Sequence, residues 1–282
     1  MKAGIVGLPN VGKSTLFNCL SNAKAQSANF PFCTIEPNIG VVNVPDPRLQ
    51  KLEELVNPER VLPATVEIVD IAGLVKGASK GEGLGNQFLG NIRECNAIIH
   101  VLRCFDNDNI VHVDGNVNPI RDKETIDIEL QLKDLETVEK RIEKAKKLAK
   151  TGNKEAVIEA GLLDKIRAVL LEGKSARVVV PTNEEEQDVY DSFQLITAKP
   201  VLYVCNVDEG AAVNGNAYVE QVKELVKNEN AEVIVLAVGT EADITELETY
   251  EERQMFLEDL GLQEPGVSKL IRSAYKLLNL QT

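Results

Sequence analysis

The chain contains no window approaching the roughly 18 consecutive apolar residues that a membrane-spanning helix needs, so no membrane partner is expected. Its first apolar run, Ala3-Gly4-Ile5-Val6, is too short for a signal peptide, and Gly12-Lys13-Ser14 interrupts any continuation. No C-x-x-C pair occurs, and the five cysteines (Cys19, Cys33, Cys95, Cys104, Cys205) are an odd number. That usage argues against a zinc site or a disulfide framework and for reduced thiols in a soluble, cytoplasmic protein. Basic residues are scarce: 31 Lys and Arg face 44 Asp and Glu, a formal charge of −13. Wholesale nucleic-acid binding needs the opposite balance, although a local basic face remains compatible with it. No internal repeat or low-complexity tract is evident, which excludes a repeat architecture. What remains is 282 residues with 44% hydrophobic content, enough for a real core in one large or two smaller domains.

The strongest local signal is Gly7-Leu8-Pro9-Asn10-Val11-Gly12-Lys13-Ser14, which fits G-x-x-x-x-G-K-[ST]. The apolar run before it predicts a strand, and Thr15-Leu16-Phe17-Asn18-Cys19-Leu20 after it has helical spacing. In that context the loop turns successive backbone N–H groups toward phosphates, and the helix N-terminus adds partial positive charge. Lys13 is expected to reach the β- and γ-phosphates and the Ser14 hydroxyl to ligate Mg²⁺.

Downstream, Ala28–Asn38 reads as a loop, Gly40–Val44 as a strand and Asp46–Val56 as a short helix with Leu49, Leu52 and Leu55 on one face. Thr65–Val69 is a strand that delivers Asp70, followed by a segment studded with Gly73, Gly77, Gly81, Gly83 and Gly85. Ala97–Leu102 is almost wholly apolar, as suits a buried parallel strand. From about Asp122 charged residues dominate. Apolar ones recur at Ile128, Leu132, Leu135, Val138, Ile142, Ala145 and Ala149, then after Gly152-Asn153 at Val157, Leu162, Leu163, Ile166, Val169 and Leu170. Two helices joined by a tight turn are predicted, inserted between strands. Another short helix is expected over Glu184–Ile196. The α/β pattern then returns: strands at Val201–Cys205 and Glu232–Leu236, helices near Tyr218–Lys227, Thr249–Leu260 and Val267–Leu280. The expected fold is α/β: a P-loop NTPase of the Ras-like G-domain type, doubly wound with a mostly parallel sheet. An α-helical coiled-coil hairpin is inserted in it. Residues 1–121 and 199–282 are expected to form the nucleotide-binding domain and 122–198 the insertion.

A P-loop needs a second acidic anchor for the metal, and Asp70, at a strand end in Asp70-Ile71-Ala72-Gly73, supplies it. The Gly73 N–H is placed to touch a γ-phosphate, and Thr34 is the candidate hydroxyl closing over Mg²⁺, with a plain loop threonine as the alternative. The candidate metal set is therefore Ser14, Thr34 and Asp70. Asn206-Val207-Asp208-Glu209 follows a strand where guanine-specific enzymes of this fold carry N-K-x-D. Valine replaces the lysine whose stem covers the base, and Glu209 is one methylene longer than aspartate, so ATP is expected to be accepted at least as well as GTP. The candidate nucleotide-binding set is Asn10, Val11, Gly12, Lys13, Ser14, Thr15, Phe32, Thr34, Asn206, Val207 and Glu209.

With Gly7–Ser14, the blocks Asn29–Asn38 and Asp70–Leu89, Arg103-Cys104-Phe105 and the tail Leu278–Thr282, the whole chain resembles the YchF-type Obg-like ATPases. These are a branch of the translation-factor-related P-loop GTPases. The resemblance implies an ATPase with a coiled-coil arm, ATP preference through N-x-x-E, and association with ribosomes. It also implies a C-terminal TGS domain, a small β-grasp module that these 282 residues are expected to lack. Slow intrinsic turnover is expected from Leu74, which stands after D-x-x-G and cannot hydrogen-bond water. An Obg-type GTPase, or a nucleotide-dependent binding module with negligible turnover, are the alternatives. Related GTPases place Ser-Ala after the last strand, where Ala237-Val238-Gly239 stands here.

Ras-like enzymes use Gln after D-x-x-G to orient water, but that position is Leu74. The resemblance points instead to His112 as catalytic, beside Lys13 and Gly73, with an ordinary loop histidine as the alternative. His100, inside an apolar strand, reads as a core residue. Asn10 is either a turn former or, as in related GTPases, a K⁺ ligand. Lys140, Arg141, Lys144, Lys146, Lys147, Lys150 and Lys154 form either a solvated helix face or a contact for ribosomal RNA phosphates.

Overall fold

The computed structural model describes residues 1–22, 38–71, 84–113, 115–229 and 231–280. Six strands are described: β1 (Lys2–Val6), β2 (Ile39–Asn43), β3 (Thr65–Asp70), β4 (Ala97–Arg103), β5 (Val201–Asn206) and β6 (Glu232–Leu236). They form one sheet in the order β2-β3-β1-β4-β5-β6. All neighbours are parallel except β2 and β3, where Ile39 pairs with Val69 and Asn43 with Thr65 in antiparallel register. Every residue of β4 and β5 is buried, the continuous apolar pattern of a parallel sheet covered on both faces. His100 lies within that core, 5.5 Å from the Tyr203 ring.

The helices are α1 (Lys13–Asn22), α2 (Pro47–Val56), α3 (Leu84–Arg93), α4 (Pro119–Ala149), α5 (Lys154–Leu171), α6 (Glu184–Ser192), α7 (Ala217–Val226), α8 (Val238–Glu246), α9 (Tyr250–Asp259) and α10 (Gly266–Leu277). The chain divides into two compact units. One holds residues 1–73, 95–122 and 201–282; the other holds 74–94 and 123–200, so residues 74–94 group with the helical insertion.

In the sheet unit, α1 packs on β1, β2, β3 and α8, and α10 packs on β4, β5 and β6. Leu16 and Leu20 of α1 and Ile68, Ile98 and Ile99 of the sheet are essentially inaccessible to solvent. Each such side chain contributes about 2 kcal/mol by leaving water. On α2, by contrast, Leu52 and Leu55 are exposed, so the predicted stripe is not a core face there. Asp46 accepts the Arg48 N–H and caps that helix.

In the helical unit, Gly152 adopts φ +84 at the turn, and Asn153 caps α5 by accepting the Ala156 N–H at 3.0 Å. Val138, Ile142 and Ala145 of α4 pack with Leu163, Ile166 and Leu170 of α5 and with Tyr190 and Phe193. The predicted stripe on α4 fails toward its start. Ile128 and Leu132 are exposed, whereas Ile126 and Leu130 are buried. The row Ile126, Leu130, Asp134, Val138, Ile142 follows an i, i+4 ridge. Asp134 sets this register: fully buried, it accepts N–H bonds from Ile196 (2.9 Å) and Thr197 (2.7 Å) and the Thr197 hydroxyl at 2.7 Å. On α5, Val157 is likewise exposed and Ala156 and Ala160 are buried.

Two helices were missed by sequence pattern. α3 contains two glycines in Leu84–Arg93, and α8 begins at Val238 after an Ala237 that makes no side-chain cap.

Candidate functional site

The loop between β1 and α1 is built around glycines that no other residue could replace. Gly12 has φ +95, and a Cβ there would lie 2.4 Å from the Asn206 amide nitrogen; at Gly7 it would meet the Val101 carbonyl at 2.8 Å. Asn206, at the end of β5, fixes this loop to the opposite wall. Its amide nitrogen donates to the Val11 carbonyl at 2.9 Å, and its amide oxygen accepts the Val238 N–H at 3.0 Å. One buried side chain thus ties the P-loop to the start of α8, at the position where related GTPases carry Ser-Ala.

Lys13 is nearly buried and its ammonium forms an ion pair with the Asp70 carboxylate. The Ser14 hydroxyl donates to the other Asp70 oxygen at 3.3 Å. β1 and β3 bring these together because they are parallel neighbours with Ile5 opposite Asp70. The hard oxygens of Ser14 and Asp70 suit Mg²⁺, which keeps several waters and needs only one or two protein carboxylates beside phosphate oxygens. No cluster of three or more His, Cys, Asp or Glu able to hold a metal occurs among the described residues. Phe32, Thr34, Gly73 and Leu74 lie outside the described residues.

Beside the P-loop a cleft of about 490 Å³ is lined by Asn10, Gly12, Thr15, Asn206, Val207 and Glu209 from the candidate set. Phe105, Asn107, Ile110, Thr240 and Asp243 also line it; Phe105 belongs to the block Arg103-Cys104-Phe105 noted above, whereas Asn107, Thr240 and Asp243 were not singled out from sequence. Val207 is buried and donates its N–H to the Leu236 carbonyl at 3.0 Å. Asp208 caps the short turn Glu209–Ala211 by accepting the Ala211 N–H at 3.0 Å. The structure therefore assembles Asn206, Val207 and Glu209 with the P-loop across nearly 200 residues of chain.

Asn10 sits at φ 63, in the left-handed region that asparagine tolerates, and its side-chain amide donates to the Val111 carbonyl at 3.1 Å. The next residue, His112, is buried with its Nε2 2.8 Å from the Asp122 carboxylate, which also pairs with Arg121 at 3.1 Å. Its neighbours Val111 and Val113 are exposed. The loop that touches the P-loop thus turns its imidazole inward and its valines outward. Neither Asp122 nor Arg121 carried a sequence signal for this role, since the contact depends on where α4 begins.

Beyond the cleft, Glu241 of α8 is buried and accepts the N–H groups of Gly266 (2.7 Å) and Val267, capping α10. Burial pushes its carboxyl above the usual range, and these two N–H groups pull it back. Burial, with Glu241 nearby, raises the Cys19 thiol to about 11, and the four described cysteines are buried outside any disulfide.

Residues 2–144 match the 50S ribosome-binding GTPase family. A Bacillus subtilis protein described as "Ribosome-binding ATPase YchF" is 56% identical over 284 residues, covering 100% of this chain and 77% of the relative. The chain belongs to the YchF family. A second member, from Escherichia coli O157:H7, is 55% identical over 282 residues with the same coverage. A solved YchF structure, from Schizosaccharomyces pombe, superposes with a TM-score of 0.85 at 37% identity, covering 99% of this chain and 76% of that one. This chain thus spans about three quarters of the length of these YchF relatives. The fold expected from the sequence, a P-loop G domain with an inserted helical hairpin, is the YchF fold. No helix among the described residues is long and apolar enough to cross a membrane.

Proposed function

We propose that this chain is a Mg²⁺-dependent ATPase that prefers ATP to GTP, turns over slowly and acts as a ribosome-associated switch in the cytoplasm. The observation that carries the base preference is the cleft: Glu209 lines it, Val207 is turned into the core, and no lysine stem stands where guanine would be covered. Glutamate is an acceptor for an exocyclic amino group but is displaced from the position that grips guanine twice. The proposed domain assignment is residues 1–121 and 199–282 for nucleotide binding and 122–198 for the arm.

In this reading the P-loop N–H groups and Lys13 hold the β- and γ-phosphates, with the ammonium exchanging Asp70 for phosphate oxygens when nucleotide binds. Ser14, Asp70 and Thr34 would hold Mg²⁺, which would supply charge neutralisation for the phosphates. Gly73 would donate its N–H to the γ-phosphate. His112 is the proposed water-positioning residue. Its bond to Asp122 supports slow basal turnover, because the imidazole has to leave a buried carboxylate to face the phosphates. Asn10 is a candidate K⁺ ligand, for which identical rates in KCl and NaCl would be the contrary result. Ribosome association is supported by the relatives' description and by exposed Lys144, Lys147, Lys150 and Lys154 on the arm. A salt-dependent pelleting with ribosomes tests a contact to RNA phosphates.

The deciding experiment is competition binding of ATP and GTP in the presence of Mg²⁺. ATP is expected to displace a fluorescent nucleotide at the lower concentration. A wide margin in favour of GTP overturns the reading and favours the Obg-type alternative.

A further inference from the structure

Arg103 is the last residue of β4, and its side chain is 1% exposed. A fully buried guanidinium is normally matched by a carboxylate, because an uncompensated buried charge is costly. Here its polar partners among the described residues are three backbone carbonyls of a single loop. Nε donates to Phe105 at 3.1 Å, Nη2 to Asn107 at 3.1 Å and Nη1 to Ile110 at 2.9 Å. The guanidinium also lies over the Phe105 ring, 4.7 Å from its centroid. Phe105, Asn107 and Ile110 are the residues that this loop contributes to the cleft beside the P-loop. The same loop continues to Val111, whose carbonyl accepts from Asn10.

We propose that Arg103 is a positioning residue that shapes the base-side wall of the nucleotide cleft by gathering the Phe105, Asn107 and Ile110 carbonyls around one buried fork. The inference rests on reading that cleft as the nucleotide site. Arg103 has no exposed surface to offer a ligand and its donors are already engaged, so it acts through the loop. Register explains why the fork sits where it does: Arg103 is paired with Asn206 across β4 and β5, and the Cys104 N–H donates to the Asn206 carbonyl at 2.7 Å. One strand end therefore holds the P-loop through Asn206 while its neighbour holds the opposite wall through Arg103. The loop has other supports at its edges, the Asn216 amide on the Cys104 carbonyl (2.7 Å) and the Tyr218 hydroxyl on Asp106 (3.1 Å). Neither reaches the carbonyls of 105, 107 or 110. Lysine cannot replace the fork, because a single ammonium nitrogen does not span carbonyls arriving from three directions.

The test compares wild type with Arg103→Lys for binding of ATP and of inorganic tripolyphosphate, both with Mg²⁺. Tripolyphosphate engages the P-loop but has no base or ribose to meet the wall. Arg103→Lys is expected to weaken ATP about tenfold or more and tripolyphosphate less than twofold. Unchanged ATP affinity, or a parallel loss for both ligands, overturns the proposal; the parallel loss identifies a merely structural residue. If the wild-type chain binds tripolyphosphate but shows no added affinity for ATP, the nucleotide reading of the cleft fails first and takes this inference with it. If the variant does not fold, hydrogen exchange on the wild type decides. The Ile110 amide, bonded to the Asn107 carbonyl at 3.1 Å, is expected to be protected from hydrogen exchange before nucleotide is added. Exchange at the unstructured rate overturns a preformed wall.

Discussion

The sheet unit and the helical unit differ in both electrostatic and topological plan. Residues 1–73, 95–122 and 201–282 carry 14 basic against 26 acidic side chains, whereas 74–94 and 123–200 carry 17 against 18. The acidic excess of the chain therefore resides almost wholly in the unit that contains the P-loop. In the proposed reading a triphosphate would bind there because Lys13, backbone N–H groups and the α1 terminus offer local positive potential against the unit's overall charge. The helical unit is near neutral overall, and many of its arm cations are paired: Lys140 with Glu136, Arg141 with Glu159 and Lys146 with Asp164. Exposed pairs of this kind contribute little each. What closes that unit is one buried carboxylate and an apolar seam. What closes the sheet unit is a set of strand-end contacts between residues far apart in sequence.

Breaking the sheet unit's site should leave the helical unit alone, and the reverse. Lys13→Ala is expected to lower ATP turnover about 10³-fold while the unfolding of the helical unit, followed by hydrogen exchange, is unchanged. Asp134→Ala leaves three buried donors without their acceptor and is expected to destabilise the helical unit by about 3 kcal/mol. ATP affinity should then stay within about twofold, as read by titration calorimetry. If the affinity falls in step with the unfolding, the two units are one cooperative body and the comparison fails. His112→Ala tests the loop beside the P-loop. Turnover is expected to fall about 10²-fold with ATP affinity nearly intact; unchanged turnover removes the histidine from the mechanism.

The smallest effect sharpens the electrostatic half of the comparison. Hydrogen bonds from Lys133 and Lys140 hold the Glu136 carboxyl down to about 2. A depressed carboxyl contributes stability that is present above its unfolded value, near 4.5, and lost as pH falls toward about 2. Glu136 is 43% exposed, so solvent screening limits the contribution to about 0.5 kcal/mol. Urea unfolding of Glu136→Gln at pH 7 and pH 3 should differ from wild type by no more than that. Asp134 has the opposite slope. Burial raises its carboxyl despite the Thr197 and Ile196 donors, so its contribution is fullest in acid and declines as pH rises through its folded value.

Most of the sheet unit was legible because its signals are local. Strand patterns at Ala97, Val201 and Glu232, the glycine spacing of the P-loop and the placement of Asp70 after a strand each need only neighbouring residues. The helix pair was legible from its period, but not its face at the start of α4, where Asp134 rather than apolar spacing turns Ile126 and Leu130 inward and leaves Ile128 and Leu132 in water. α3 and α8 were not legible. Two glycines in the first and an uncapped start in the second remove the propensity and capping signals on which sequence reading depends.

By itself the sequence determined the fold class, the glycine loop with its P-loop pattern, the candidate set Lys13, Ser14 and Asp70, and the family, because these depend on short-range patterns and on overall similarity. Only the tertiary structure decided that Asn206 clamps the loop to α8, that His112 rests against Asp122 and that Arg103 gathers the cleft wall. Each of these is a buried polar group, and a buried polar group takes whatever donor or acceptor the packing brings within reach. Spacing along the chain does not encode that choice. The parallel register of β4 and β5 does for Asn206 and Arg103, and the start of α4 does for His112.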